Sequence, residues 1–176
     1  ECLLAILPVT PEQVIAHFNQ AEHAVMRYAQ VRDMLDQVRD FHGQLAEYYH
    51  QLSESSDQQR IKLLLDHMSN HEKQLQDSLR DYEEDASKQI MNTWVDCKYC
   101  DEVLATCKQI PIVPEASVES VVQATLDIDN CLMRFYREVA EKVESENVRD
   151  VFRNLVEMEE SELRQLAFSA LQVRDA

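Results

Sequence analysis

The segment LVEMEESELRQL, residues 155–166, decides the fold that this sequence predicts. Its apolar residues recur at helical spacing, which predicts an amphipathic helix, and one acid, Glu159, falls at the centre of the apolar stripe. The segment is similar to LLDHMSNHEKQL at residues 64–75. A second pair of similar segments, LAEYYHQLSE at 45–54 and LMRFYREVAE at 132–141, precedes them. The sequence therefore predicts an internal duplication of a helical hairpin.

Turn signals divide the rest of the chain. Thr10 and Pro11 form a typical helix start, and the segments SESSD, IPIVPEAS and ESEN interrupt the later helical periodicity. With one Gly and four Pro in 176 residues, long helices are favoured over sheets. We therefore predict one all-α domain over residues 1–176, a four-helix bundle with a long crossover and an extra N-terminal helix. Its predicted parts are an N-terminal helical extension at 10–30, a first hairpin at 31–86, a crossover at 87–117 and a second hairpin at 118–172.

The composition excludes several classes of function. Acids outnumber Lys plus Arg by 33 to 17, and the formal charge is −16, so the basic cluster that nucleic acid or an anionic membrane requires is missing. No apolar run reaches the roughly 20 residues that span a bilayer. With one glycine, Gly43, a nucleotide-cradling loop is excluded as well.

We expect no nucleic-acid or membrane partner. Because the N-terminal extension has an apolar face, we expect a homodimer or another protein partner.

The cysteines predict a reducing compartment. The chain has five of them, an odd and scattered set, which argues against a secreted disulfide framework and for a cytoplasmic protein. The apolar run near the N-terminus has no basic residues before it and is a poor signal peptide. The motif CKYC, residues 97–100, followed by Cys107, could be a zinc or redox motif, but a structural zinc needs four ligands. Free thiols packed in the crossover are the favoured interpretation, and a reversible Cys97–Cys100 disulfide is the alternative.

Polar or sulfur-bearing side chains interrupt the apolar stripe of every helix in the predicted bundle. Burying a lone carboxylate carries a large desolvation penalty unless it meets a partner or a metal. Two imidazoles with two or three carboxylates would suit one Zn, Fe or Mn ion. The alternative is a buried network in which His42 or His71 pairs with Glu159 or Asp129. The positions in or beside the stripes are His42, Met68, His71, Glu72, Asp129, Glu159 and Glu162.

The two hairpins resemble the ferritin-like, rubrerythrin-type superfamily over about residues 41–75 and 129–171, most clearly in FYREVAE and FRNLVEMEESE. The resemblance implies two irons that handle oxygen or peroxide. In that family each hairpin offers a Glu six residues before an aromatic pair, then Glu-x-x-His on its second helix. The upstream Glu corresponds here to His42 and Asp129, and the Glu-x-x-His corresponds to Met68/His71 and Glu159/Glu162.

The departures from that pattern leave three hypotheses. Met68 stands where a bridging carboxylate is implied, and a thioether is a poor ligand for hard iron. The hypothesis that the sequence favours is a degenerate, non-catalytic bundle that acts as a structural or partner-binding module. The second is a protein that holds one transition-metal ion, and the third is a di-iron oxidase or peroxidase in which Glu72 replaces Met68 as a ligand. Whether the chain is an enzyme stays open between them. The candidate metal ligands are His42, His71, Asp129, Glu159 and Glu162, with Glu72 as a further possibility.

Overall fold

Four long helices dominate the fold, which a computed structural model describes for residues 28–96, 105–107 and 117–175, with side chains up to Arg164 except those at 118 and 119. The chain is all-α apart from one pair of very short strands, as the sequence predicts. Among the described helices, none combines the length and the apolar character that a bilayer-spanning segment needs. The elements are β1 (Tyr28–Gln30), α1 (Val31–Ser55), α2 (Gln59–Asp85), α3 (Lys88–Met91), β2 (Trp94–Asp96), α4 (Val118–Lys142) and α5 (Glu146–Asp175).

Short loops connect α1 to α2 and α4 to α5. Residues 56–58 form the first loop and residues 143–145 the second. In the first hairpin, the Ser55 hydroxyl donates to the Leu52 carbonyl at the C-terminal end of α1, at 3.0 Å. In the second, the Arg149 guanidinium donates to the Val143 carbonyl at 2.8 Å. These side chains supply hydrogen bonds to backbone carbonyls near the loops, where the helix ends leave such groups without a partner.

One hydrophobic core joins the four long helices. Most of the described residues of the predicted apolar stripes are buried in it, including Tyr49 and Tyr136, which occupy equivalent positions in the two similar hairpins. Burial of each large apolar side chain contributes about 1.5–3 kcal/mol to folding, so this core accounts for most of the driving force. The largest fully buried side chains are Tyr49, Tyr136, Phe41, Phe152, Leu35, Ile61, Leu65 and Leu132.

The strand pair replaces the last part of the predicted N-terminal extension. Tyr28–Gln30 form β1, which pairs antiparallel with β2, rather than the end of a helix. The Val31 N–H donates to the Thr93 carbonyl at 3.0 Å, so α1 begins directly after the strand. Pairing with a distant strand overrides the local helical pattern here. The rest of the predicted extension, residues 10–27, lies outside the described residues.

A disulfide corrects the expectation of free thiols. Cys107 and Cys131 are bonded, with their Cα atoms 5.5 Å apart, and they link the crossover to α4. An odd number of cysteines does not prevent one pair from forming, and composition carries no information about which thiols meet. Cys97 and Cys100 lie outside the described residues. Since disulfides persist in oxidising compartments, the cysteines no longer argue for a cytoplasmic location.

We expect Cys107→Ser to lower the free energy of unfolding by about 3 kcal/mol, because the crosslink restricts the unfolded chain. The two cysteines are 24 residues apart in the sequence. Urea denaturation of the wild type and the variant, each with and without a dithiol reductant, measures the difference. The reductant should destabilise the wild type by a similar amount and leave the variant unchanged. Equal midpoints for the two oxidised proteins would show that the pair is not bonded in solution.

Candidate functional site

A buried group of polar side chains lies where the four long helices meet. We call His42, Glu72, Tyr136 and Glu159 the interior polar cluster. One member comes from each long helix, α1, α2, α4 and α5 respectively, and all four side chains are buried. Each lies in the apolar stripe of its helix, so helical periodicity directs all of them to the same interior.

His42 is the centre of the interior polar cluster. Its Nδ1 lies 2.7 Å from Glu72 Oε2. Its Nε2 lies 3.2 Å from the Tyr136 hydroxyl oxygen and 3.5 Å from Glu159 Oε1. The Tyr136 hydroxyl in turn donates to Glu159 Oε1 at 3.5 Å. Both ring nitrogens therefore have polar partners within the protein.

Burial decides the protonation states in the cluster. Burial, reinforced by the negative charge of Glu162, raises the pKa of Glu72 to about 8. Burial also raises the pKa of Glu159 to about 8, against the opposing effect of His42. The pKa of His42 is lowered by burial, although Glu159 acts in the opposite direction. At neutral pH the three groups are therefore uncharged.

Neutral groups give the cluster one consistent direction of hydrogen bonding. The protonated Glu72 carboxyl donates to His42 Nδ1, and the remaining ring proton on Nε2 is donated to the Tyr136 oxygen. Burial raises the pKa of Tyr136 well above its usual value, so its hydroxyl keeps its proton and donates to Glu159. The contact between His42 and Glu72 is thus a hydrogen bond between neutral groups rather than an ion pair.

A cavity of about 20 Å³ adjoins the interior polar cluster. His71 on α2 and Glu162 on α5 meet at it, with Nδ1 and Oε2 3.2 Å apart. Burial, with smaller contributions from His42 and His67, lowers the pKa of His71 to about 4. The cavity has room for roughly one water molecule or a small ion. Its lining residues are His67, Met68, His71, Glu72, Thr125, Asp129 and Glu162.

Asp129 completes the polar lining on the α4 side. It is buried, and burial raises its pKa well above the usual range, with Glu72 and Glu162 adding to the shift. The predicted ligands thus fall into two adjoining groups. His42 and Glu159 belong to the interior polar cluster, whereas His71, Asp129 and Glu162 surround the cavity, and Glu72 contributes to both.

Sequence reasoning missed three residues of this region. Tyr136 is not among the predicted site residues, yet its hydroxyl contacts both His42 and Glu159. Tyr49 and Thr125 form a second buried hydrogen bond, 3.2 Å between their hydroxyl oxygens. The Thr125 hydroxyl also lies 3.9 Å from Met68 Sδ. The signal for the tyrosines was present, because a buried tyrosine hydroxyl requires a polar partner nearby.

The residues present do not fit two irons. In the part of the chain that the structure describes, no group of three or more His, Cys, Asp or Glu side chains is arranged to hold a metal ion. Met68 is buried at a position where the ferritin-like resemblance implies a bridging carboxylate. His42 stands at another implied carboxylate position and is engaged by hydrogen bonds through both of its nitrogens.

Comparisons with protein-family models, curated proteins and solved structures give no match to this chain. A function must therefore be argued from the side chains themselves. The interior polar cluster and the adjoining cavity provide the buried titratable side chains for that argument.

Proposed function

We propose that this chain is a ferritin-like helical bundle with a degenerate metal centre, and that it acts as a non-catalytic structural or partner-binding module. The observation that carries the proposal is the hydrogen bonding of His42. Its ring occupies a position implied for a carboxylate ligand and joins Glu72 on one side to Tyr136 and Glu159 on the other. The side chains of the interior polar cluster thus hydrogen-bond to one another, and no ion is required to stabilise them.

Protonation strengthens this proposal. A cation is attracted by ionised carboxylates, whereas Glu72 and Glu159 keep their protons up to a pH of about 8. Any ion entering the interior polar cluster would have to release those protons and break the hydrogen bonds of His42, so its apparent affinity at neutral pH would be low. Met68 would add no ligand suited to iron.

The arrangement of the helices supports the ferritin-like part of the proposal. Two helical hairpins of similar sequence, α1 with α2 and α4 with α5, contribute to one core. The stretch between Asp85 and Val118 connects them, as a long crossover would. The equivalent positions His71 and Glu162 face each other across the two hairpins, which is expected if they derive from one duplicated unit.

One transition-metal ion in the cavity is the second candidate. The observation that favours it is the lining, which brings His71, Glu72, Asp129 and Glu162 around about 20 Å³ of space. No three of these side chains are arranged to hold an ion as they stand in the described structure, so they would have to move to bind one. An Fe, Zn or Mn ion there would supply Lewis-acid chemistry, and iron or manganese would also supply redox chemistry. The surrounding carboxyls would have to lose their protons, so affinity should rise with pH.

We expect untagged protein to hold well below about one equivalent of metal after separate reconstitution with iron, zinc and manganese. Mass spectrometry of the metal content of the wild type, of His71→Ala/Glu159→Ala and of the exposed-site control His50→Ala tests this. The melting temperature should not change with EDTA or added metal, because a ligand that binds only the folded state must raise it.

Two results would contradict this expectation. About one equivalent of metal in the wild type and in His50→Ala, lost in the double variant, would establish the single-ion candidate. Two equivalents of iron with a visible absorption band would revive a di-iron oxidase or peroxidase.

A further inference from the structure

An open cleft of about 700 Å³ lies beside the strand pair, next to the loop that joins α4 to α5. Two aromatic side chains line it, Tyr28 and Trp94, and they are 49% and 61% exposed. Among the described residues the only other exposed large hydrophobic side chain is Leu63 on α2. Aromatic rings left in water beside a well-formed core contribute little to folding, and they are enriched at interaction surfaces.

The strand register puts both rings on one face. Tyr28 is paired with Asp96, and Trp94 is paired with Gln30, so the two rings are diagonal neighbours across the pair. Ala29 and Val95 alternate with them and are buried on the opposite face. The buried face anchors the strands to the core, and the alternation of side chains then leaves Tyr28 and Trp94 towards solvent.

Among the described residues that line the cleft, the acids outnumber the bases. Asp96 and Glu144 line the cleft together with Lys142. The Lys142 ammonium contacts Glu138 at 2.5 Å, so the positive charge is offset by a further acid. The chain as a whole carries a formal charge of −16. A negative cleft concentrates cations, and the faces of Trp and Tyr rings attract them as well.

We infer that this cleft binds a basic, arginine-bearing segment of a partner protein, an inference that rests on the partner-binding function proposed above. Arginine fits best because its planar guanidinium stacks on an aromatic ring and also donates several N–H groups to a carboxylate. Trp94 supplies the ring and Glu144 the carboxylate. A cleft of this volume accommodates a few side chains.

Trp94 makes the test direct, because it is the only tryptophan in the chain and its fluorescence reports on the cleft. A capped Gly-Arg-Gly-Arg-Gly peptide is titrated into the full chain at about 0.15 M salt, which screens general attraction to an acidic protein. We expect a saturable change in Trp94 emission. The same peptide with citrulline in place of arginine should bind at least about five-fold more weakly, because it lacks the charge that the rings attract.

Variants separate cleft recognition from general charge attraction. Trp94→Leu, measured by calorimetry, should weaken binding of the arginine peptide roughly 5- to 30-fold without changing the net charge. Glu144→Gln should weaken it roughly three-fold or more. Glu157→Gln is the matched control, since it removes one exposed acid on α5 away from the cleft and should leave the affinity unchanged.

Three results would overturn the inference. They are the absence of a saturable change, equal binding of the citrulline peptide, and equal weakening by Glu144→Gln and Glu157→Gln. None of these would bear on the metal content of the protein. Conversely, metal found at the cavity would overturn the proposed function, whereas the peptide titration would still decide whether the cleft binds arginine.

Discussion

His42→Ala is expected to lower the free energy of unfolding by about 3–5 kcal/mol, the largest effect of any single substitution proposed. The variant removes the partner of Glu72 at 2.7 Å and of the Tyr136 hydroxyl at 3.2 Å, and it leaves these polar groups buried. It also leaves a cavity the size of an imidazole ring. Urea denaturation followed by circular dichroism measures the loss.

Two further variants separate these causes. His42→Leu fills much of the space but provides no hydrogen bond, so we expect it to remain destabilised by about 2–4 kcal/mol. His50→Ala, at an exposed position on the same helix, should change stability by less than about 0.5 kcal/mol. A His42→Leu protein as stable as the wild type would show that the hydrogen bonds of His42 contribute nothing net.

The long helices and their buried faces were predictable because helical periodicity links sequence directly to burial. Tyr49 and Tyr136 illustrate this, since each falls in an apolar stripe and each is fully buried. The position of His42 in its stripe likewise indicated that a polar ring would face the interior. A pattern with a period of 3.6 residues specifies which face of a helix is buried.

Which interior side chains meet was not predictable from the same pattern. The hydrogen-bonding alternative paired His42 or His71 with Glu159 or Asp129, whereas the shortest contact of His42 is with Glu72. That choice depends on the rotation and separation of α1 and α2, and periodicity along one helix does not specify either. His42 does approach Glu159, but at the longer distance of 3.5 Å.

Pairings between distant parts of the chain were missed for a related reason. Tyr28 falls within the predicted N-terminal helical extension, yet it lies in a strand because Trp94–Asp96 are available to pair with it. The bond between Cys107 and Cys131 likewise depends on where the crossover meets α4. Both features join the crossover region to other elements, and local sequence carries no signal for such contacts.

Protonation in the interior polar cluster is linked to protonation around the cavity, because Glu72 belongs to both. Burial raises the pKa values of Glu72, Asp129 and Glu159, so folding favours the protonated form of each of these acids. Unfolding exposes them to water, where they ionise at much lower pH. The stability of the metal-free protein must therefore depend on pH in a specific direction.

We expect the free energy of unfolding of the metal-free protein to fall as pH rises from about 6.5 to about 8. In this window Glu72 and Glu159 keep protons in the folded state, with pKa values of about 8, and release them on unfolding, where the pKa is 4.5. The unfolded state therefore binds fewer protons, and rising pH favours it by roughly 2 kcal/mol for each carboxyl. Urea denaturation at a series of pH values, with EDTA present, measures the fall.

Below a pH of about 6.5 the profile should flatten. The pKa values of His42 and His71 are lowered in the folded state from 6.5, so the unfolded chain binds protons there that the folded chain does not. Their effect opposes that of the acids, because each buried histidine loses stability as the pH falls. The steepest change is thus expected between about pH 6.5 and 8, and little further change from these groups is expected above that range.

Glu72→Gln/Glu159→Gln identifies the groups responsible. The amide introduced at position 72 can donate to His42 Nδ1 as the protonated carboxyl does, and the carbonyl introduced at position 159 can accept from the Tyr136 hydroxyl. Hydrogen bonding is therefore retained without ionisation. The variant should lose most of the fall between about pH 6.5 and 8 and exceed the wild type in stability at about pH 8. If it is instead less stable at neutral pH and the wild type shows no fall, Glu72 is ionised against a charged His42. The interior polar cluster would then be a buried ion pair, and its carboxylates would be available to a metal at neutral pH.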